Sequence, residues 1–163
     1  SRTGGFGGIT HADQWRVTSD FTMNSQYAAT ITSNWERTDN PASTILLSGG
    51  GMTESSGVFT FPSTGIYLIL ATPRGNRSAN VSYAGIQIEP TTNNSSYNNL
   101  ADGFDSVASN GHYFHASAQL VFDVSDTSTH KVKFQVAADG TTIFSGDSNV
   151  QMTGATFIRL GDT

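Results

Sequence analysis

Residues 57–67 read Gly57-Val58-Phe59-Thr60-Phe61-Pro62-Ser63-Thr64-Gly65-Ile66-Tyr67, and this stretch, with the three residues after it, decides the fold. Pro62 donates no ladder hydrogen bond and Gly65 can take a positive φ, so a turn is predicted between two strands. The second strand is apolar on both of its faces: Ile66, Leu68 and Leu70 on one, Tyr67 and Ile69 on the other. A strand that is apolar on both faces is buried on both. In a small all-β domain, we expect another subunit to cover one of them.

The rest of the chain has the same two-residue hydrophobic period. It recurs in residues 81–88, 117–124, 131–137 and 155–160, whereas no segment carries a helical stripe. We therefore expect an all-β jelly-roll β-sandwich of about eight to ten antiparallel strands. Asn110-Gly111 and Asp139-Gly140 are expected at hairpin tips, because both central residues of a type I′ turn need a positive φ.

The composition excludes several classes of function. The chain has 163 residues, a net charge of −5 and no cysteine, so thiol catalysis, Cys-ligated zinc and disulfides are ruled out. No nucleic-acid partner is expected, because phosphate binding needs a basic face and no Lys/Arg run is present. No stretch reaches the roughly 18 apolar residues of a membrane span, so membrane insertion is not expected. Residues 1–12 are expected to form a flexible lead-in to a single domain, residues 13–163.

The stretch at 57–67 resembles the G-x-F-x-x-P-x-x-G-x-Y segment of complement-type globular heads, which are trimeric jelly rolls related to the tumour necrosis factor superfamily. Residues 117–124, 131–138, 143–146 and 155–160 resemble later strands of that family, in the same order. The resemblance covers residues 13–163 and implies a homotrimer. With that assembly, we expect five residues at the trimer interface or in the core behind it: Tyr67, Ile69, Phe114, Phe157 and Ile158.

Residues 9–16, 34–37, 51–57 and 157–163 resemble structural proteins of marine bacteriophages of the cyanophage type. Such proteins use this jelly roll at fibre tips or as virion decorations. The resemblance implies a structural protein at the virion surface, a trimeric tail-fibre tip or capsid decoration. Its partners would be other virion proteins and a host-surface glycan or protein used for attachment. Two alternatives stay open: a polysaccharide-degrading fibre-tip enzyme, and a secreted complement-like binding protein.

Recognition is expected in two polar segments, first residues 89–105 and then residues 73–80. The candidate contact residues there are Arg74, Asn94, Tyr97 and Phe104. In a trimer, three weak sites would act together and bind by avidity.

Chemistry beyond binding has little support in the residues. Asp102 and Asp105 are candidate calcium ligands, because calcium takes several oxygen ligands from loops, but Asp also bonds its own backbone in turns. No other cofactor is expected. No nucleophile elbow or nucleotide-binding glycine loop is present, so the chain is not expected to be an enzyme. A pair of catalytic carboxylates could still converge in the fold.

Overall fold

The computed structural model describes residues 9–24, 27–40, 50–76, 81–108 and 111–163. Within these ranges no helix is long and apolar enough to cross a membrane. The regular structure there consists of fifteen strands: β1 (Ala12–Val17), β2 (Ser19–Met23), β3 (Tyr27–Thr30), β4 (Trp35–Arg37), β5 (Thr53–Ser55), β6 (Val58–Thr60), β7 (Gly65–Thr72), β8 (Arg74–Asn76), β9 (Val81–Thr91), β10 (Ala101–Val107), β11 (Tyr113–His115), β12 (Ala118–Val124), β13 (Lys131–Ala138), β14 (Thr142–Asp147) and β15 (Gly154–Gly161).

Two layers enclose the core. One is a five-stranded sheet in the order β12-β7-β15-β1-β4, and the other is a six-stranded sheet in the order β10-β9-β13-β6-β5 with β3 paired to β13. A four-stranded sheet, β11-β8-β14-β2, repeats the order of the first four strands of the five-stranded sheet. Each of its strands is next in sequence to the corresponding strand of the five-stranded sheet. The four-stranded sheet therefore continues the five-stranded layer beyond short breaks such as Pro73. These breaks explain why more strands are present than the eight to ten expected. The predicted all-β antiparallel fold class is confirmed.

The hairpin predicted at Asp139-Gly140 is wrong. This dipeptide lies between β13 and β14, but β13 pairs with β9, β3 and β6, and β14 pairs with β2 and β8. Gly111 likewise connects β10, which pairs with β9, to β11, which pairs with β8, while Asn110 lies outside the described residues. Both turns lead from a strand of one sheet to a strand of another. A turn dipeptide favours a reversal of the chain, but it does not determine which strand the next strand pairs with.

The core is built around the ring of Phe59, which comes from the stretch that decides the fold and has no exposed surface. Its centroid lies 5.4 Å from that of Trp15, 5.1 Å from Trp35, 5.5 Å from Phe134 and 5.4 Å from Phe157. These rings come from both layers, and each edge-to-face pair adds about 0.5–1.5 kcal/mol beyond the area it buries. The aromatic residues therefore pack the inner faces of the two sheets together. The other face of each sheet points outward.

The first described strand is paired from its first residue. Ala12 already pairs with Ile158, and the carbonyl of the buried His11 accepts the N–H of Arg159 at 3.0 Å. Residues 1–8 lie outside the described ranges.

The β5–β6 turn depends on a glycine. Ser56 and Gly57 both have positive φ, 52° and 84°, and the Gly57 N–H donates to Glu54 Oε1 at 2.6 Å. A Cβ on Gly57 would overlap the carbonyl oxygen of Ile31. We therefore expect Gly57→Ala to lower the free energy of unfolding by about 2 kcal/mol, from backbone strain and this clash together. Urea denaturation at one protein concentration measures the change.

The control is Gly111→Ala. Gly111 also has a positive φ, 75°, but a Cβ there meets no atom within 4 Å. We expect a loss of about 1 kcal/mol, since only the backbone conformation is unfavourable for alanine. Equal losses at the two positions would show that the contact with Ile31 contributes nothing.

Candidate functional site

The outer face of β7 is the first candidate surface. Along β7 the exposure alternates, with Tyr67 and Ile69 buried and Ile66, Leu68 and Leu70 only half-buried. The buried set faces the core, as the period of two requires. The strand predicted to be apolar on both faces therefore has one of them uncovered in a single chain.

The uncovered face extends across the sheet. Leu68 pairs with Val121 of β12 on one side and with Ile158 of β15 on the other, and Ile158 pairs with Ala12 of β1. These four residues form an apolar row across four adjacent strands, here called the apolar row. Val121 is 61% exposed. Contiguous exposed apolar residues mark interaction surfaces in many proteins, so the row is a candidate interaction surface.

The residues predicted for the interface or the core behind it fall into two groups. Tyr67, Ile69, Phe114 and Phe157 are exposed by no more than 1% and belong to the core of one chain. Ile158 is half-buried and lies in the apolar row.

An ion cluster around the buried Arg16 lies four residues along β1 from the apolar row, at the β1–β4 edge. The Arg16 side chain is 1% exposed and its guanidinium lies 3.1 Å from Glu36 and 2.6 Å from Asp39. Because both carboxylates come from the same chain, Arg16 is satisfied without a ligand or partner. The outer face thus changes from apolar to polar where β1 meets β4.

Arg74 lies in a strand, so the loop predicted at this position is wrong, while a recognition role for Arg74 stays a prediction. It belongs to β8, and its guanidinium carbon lies 4.9 Å from the ring centroid of Tyr113 on β11. The buried Thr153 hydroxyl bonds both the N–H and the carbonyl of Arg74, each at 3.2 Å, which fixes the backbone there. Residues 77–80 of the predicted loop lie outside the described ranges.

Asn94 and Tyr97 do lie in a loop, between β9 and β10. Asn94 has a positive φ of 54° and its N–H donates to the Thr129 carbonyl at 2.8 Å. The Tyr97 ring lies 4.4 Å from Lys133 Nζ, which is also 3.6 Å from Glu89. Partial burial raises the pKa of Tyr97 above its ordinary value. The loop is therefore attached to the six-stranded sheet at one end of its outer face.

Phe104, Asp102 and Asp105 lie in β10, so the exposed loop predicted for residues 89–105 is shorter than expected. β10 is an edge strand whose outer side chains face solvent, which is why its polar sequence looked like a loop. Asp102 and Asp105 differ by three positions and point to opposite faces of the strand. Asp102 accepts from Asn99 Nδ2 at 3.0 Å, and Asp105 from the Ser106 N–H at 2.8 Å.

The two aspartates form no larger ligand set. Across the described ranges, no group of three or more His, Asp or Glu side chains could hold a metal ion. The calcium site stays a sequence prediction that the arrangement of these residues does not strengthen.

Two Ser–His contacts have the residue types of a hydrolase pair, Ser125 with His130 Nε2 at 3.4 Å and Ser63 with His11. Ser63 Oγ lies 3.3 Å from His11 Nε2 and 3.2 Å from Tyr67 Oη. The Thr10 hydroxyl lies 2.9 Å from Nδ1 of His11. In a hydrolase triad a carboxylate occupies that position. These bonds hold the Pro62–Gly65 turn against the start of β1, which is a structural role.

No family model matches the sequence, and no curated protein sequence matches it. Among solved structures, the chain is similar to Eiger TNF from S. frugiperda, with 13% identity over 96% of each chain and a TM-score of 0.68. It is also similar to the structure of murine APRIL at pH 8.0, with 12% identity and a TM-score of 0.63. That match covers 91% of this chain and 98% of the APRIL chain. At pH 5.0, murine APRIL gives 16% identity, 92% and 99% coverage and a TM-score of 0.63. At these identities the likeness is one of fold, and the chain has the jelly-roll fold of tumour necrosis factor-like proteins.

Proposed function

We propose that this chain is a homotrimeric binding module at a virion surface, a fibre tip or capsid decoration that attaches the particle to a host-surface ligand. The observation that carries the proposal is the apolar row of Ala12, Leu68, Val121 and Ile158 on the outer face of the five-stranded sheet. The apolar row is uncovered in a single chain. Another copy of the same chain is a partner that is always present, so it can cover this row.

A ring of three copies fits this surface. The apolar row is flanked by half-buried Ile66 and Leu70 on β7 and by Leu160 of β15, which is 55% exposed, so the apolar surface also extends along β7. In a cyclic trimer each copy presents this face to a different surface of its neighbour, which closes the ring and leaves no copy of the face uncovered. The chain has no cysteine, so subunit contacts take the place of disulfides in stabilising an extracellular domain.

The virion role is supported by where the phage-like segments lie. Residues 9–16, 34–37 and 157–163 contribute to β1, β4 and β15, which are neighbours in one sheet. Residues 51–57 join them, because the Met52 N–H donates to Asp13 at 2.7 Å. The four segments are therefore contiguous in space, as expected if the resemblance reflects one structural part of a domain.

Two measurements test the proposal. Light scattering should give a mass of about three times 17.3 kDa, unchanged between low and high salt because the apolar row carries no charge. The purified trimer should also slow the adsorption, to host cells, of the phage that carries this protein, because the trimer would occupy the receptor. A monomer at all concentrations would overturn the assembly, and a trimer that leaves adsorption unchanged would overturn the attachment role.

A further inference from the structure

The outer face of the six-stranded sheet carries an open depression of about 590 Å³, lined by Ala28, Tyr83, Gln87, Phe104 and Ala137. This volume lies within the range of small-ligand sites. The lining comes from four adjacent strands, β3, β13, β9 and β10. This layer is opposite the one that carries the apolar row, so the two surfaces are separate within one chain.

The floor and wall of the depression follow from the strand register. Ala28, Ala137 and Gly85 stand side by side, and Phe104 is the next residue in the same row. The three small residues make a low floor. A Cβ on Gly85 would lie 2.6 Å from Phe104 Cδ1, so the phenyl ring lies over the glycine.

The aromatic wall is fixed and still accessible. Tyr83 and Phe104 meet edge to face with centroids 5.5 Å apart and an interplanar angle of 85°. This contact holds the Phe104 ring, which nonetheless remains 39% exposed. A rigid, exposed aromatic wall beside a low floor can receive a flat apolar ligand face at little cost in side-chain entropy.

The polar groups beside the depression are an uncharged amide, Gln87, and the Asp102 carboxylate. Within the described part of the chain the Gln87 amide has no hydrogen-bond partner, so it can both donate and accept. Gln87 pairs with Gln135 and Asp102 in the neighbouring strands. Gln135 Nε2 already donates to Thr30 Oγ1 at 3.3 Å, whereas the Asp102 carboxylate, bonded to Asn99, keeps acceptor positions on the solvent side.

Among the described residues, no Lys or Arg side chain lines the depression. Lys133, on the same face of β13, is bound to Glu89 and lies over Tyr97, and Lys131 Nζ donates to the Thr127 carbonyl at 2.7 Å. The chain as a whole carries a net charge of −5. Sulfated and uronic saccharides therefore lack a counter-charge here, and uncharged ligands are favoured.

From these features we infer that the depression binds an uncharged pyranose of a host-surface glycan. The C–H face of the sugar would lie against Phe104, and its hydroxyl groups would exchange hydrogen bonds with Gln87 and the Tyr83 hydroxyl. This inference rests on the proposed attachment function and gives that function a ligand class and a place. Three such sites per trimer would raise a monovalent affinity on the order of millimolar by avidity.

The test is a titration of the ¹⁵N-labelled chain with the methyl pyranosides of glucose, galactose, mannose and N-acetylglucosamine, with methyl glucuronide and heparin as charged comparators. We expect at least one neutral pyranoside to shift the Gln87 side-chain amide and the backbone amides of residues 83–87 and 102–104. Phe104→Ala should weaken that binding by about tenfold or more, as loss of a central aromatic contact does.

Two further variants keep the result interpretable. Ala28→Trp fills the floor from an exposed position and should abolish binding without touching the wall or the core. Tyr113→Ala removes an aromatic residue that is 64% exposed on another sheet, and should leave the affinity within twofold of wild type. These variants are checked for retained mass and circular dichroism before titration.

Each contrary outcome has a distinct meaning. Binding by charged saccharides alone, full binding by the folded Phe104→Ala and Ala28→Trp variants, or a mass of six chains through docking of copies at the depression would overturn the inference. If the chain is trimeric and blocks phage adsorption but binds no neutral pyranoside, the inference fails and the proposed function stands. If the chain neither assembles nor blocks adsorption, the proposed function itself fails.

Discussion

Asp13→Ala is expected to lower the free energy of unfolding by about 3–5 kcal/mol, the cost of leaving a buried charged pair and its hydrogen bonds incomplete. Asp13 is 5% exposed and its carboxylate accepts from Trp15 Nε1 at 2.9 Å, from Arg37 Nε at 2.9 Å and from the Met52 N–H at 2.7 Å. Alanine removes all of these acceptors at once. The buried indole and backbone N–H groups would then have no partner.

The loss at Asp13 should spread along the β1–β4 edge. Arg37 also donates to the Met52 carbonyl and lies 4.7 Å over the Trp15 ring, so one carboxylate holds β1, β4 and the segment before β5 together. Urea denaturation at a fixed protein concentration gives the change in free energy. Combining Asp13→Ala with Arg37→Ala should cost less than the sum of the two single changes, since the second removes the cation left unpaired by the first.

The control for Asp13 is an exposed ion pair. Asp162 lies 2.5 Å from Arg159 but is 93% exposed, so Asp162→Ala should change the free energy of unfolding by no more than about 0.5 kcal/mol. A loss at Asp13 as small as that at Asp162 would show that the buried cluster contributes no more than a surface pair.

Leu68→Asp is expected to convert the proposed trimer into folded monomers, with the mass falling from about three times 17.3 kDa to 17.3 kDa. Leu68 lies at the centre of the apolar row between Val121 and Ile158, so a carboxylate there would be buried without a partner in every subunit contact. The desolvation of such a charge costs several kcal/mol, and the trimer contains three copies of it. In the isolated chain Leu68 is half-exposed, so the fold itself should persist.

Light scattering and circular dichroism together test this prediction. The melting temperature of the wild-type protein should rise with protein concentration, because assembly stabilises the folded chain, and that dependence should vanish in Leu68→Asp. Leu100→Asp is the matched control: Leu100 is 58% exposed but lies in the loop before β10, away from the apolar row. An intact Leu68→Asp trimer, or an equal loss of mass in both variants, would contradict the role of the apolar row.

The local features of the fold could be predicted because they depend on neighbouring residues only. Period-two patterns assign Tyr67 and Ile69 to one face of β7 and Leu68 to the other, and burial follows this alternation. The Pro62–Gly65 turn is equally local. The prediction that Asp102 and Phe104 lie in a loop was wrong, since an edge strand with polar outer residues has the composition of a loop.

Contacts between distant segments could not be predicted from the same patterns. The tetrad of Asp13, Trp15, Arg37 and Met52 joins three parts of the chain, and no spacing in the sequence marks it. The floor of Ala28, Gly85 and Ala137 is likewise three small residues that carry no signal until β3, β13 and β9 lie side by side.

The sequence by itself determined the β class, the two alternating sets of side chains on each main strand, and the presence of a strand apolar on both sides, because these depend on a period of two within one segment. The tertiary structure alone decided which strands are neighbours, and so which outward residues share a surface. It placed Val121, Leu68 and Ile158 in one row and set Phe104 over Gly85. The physical reason is that strand pairing is chosen by the packing of the whole core, in which rings as far apart in sequence as Trp15 and Phe157 surround Phe59.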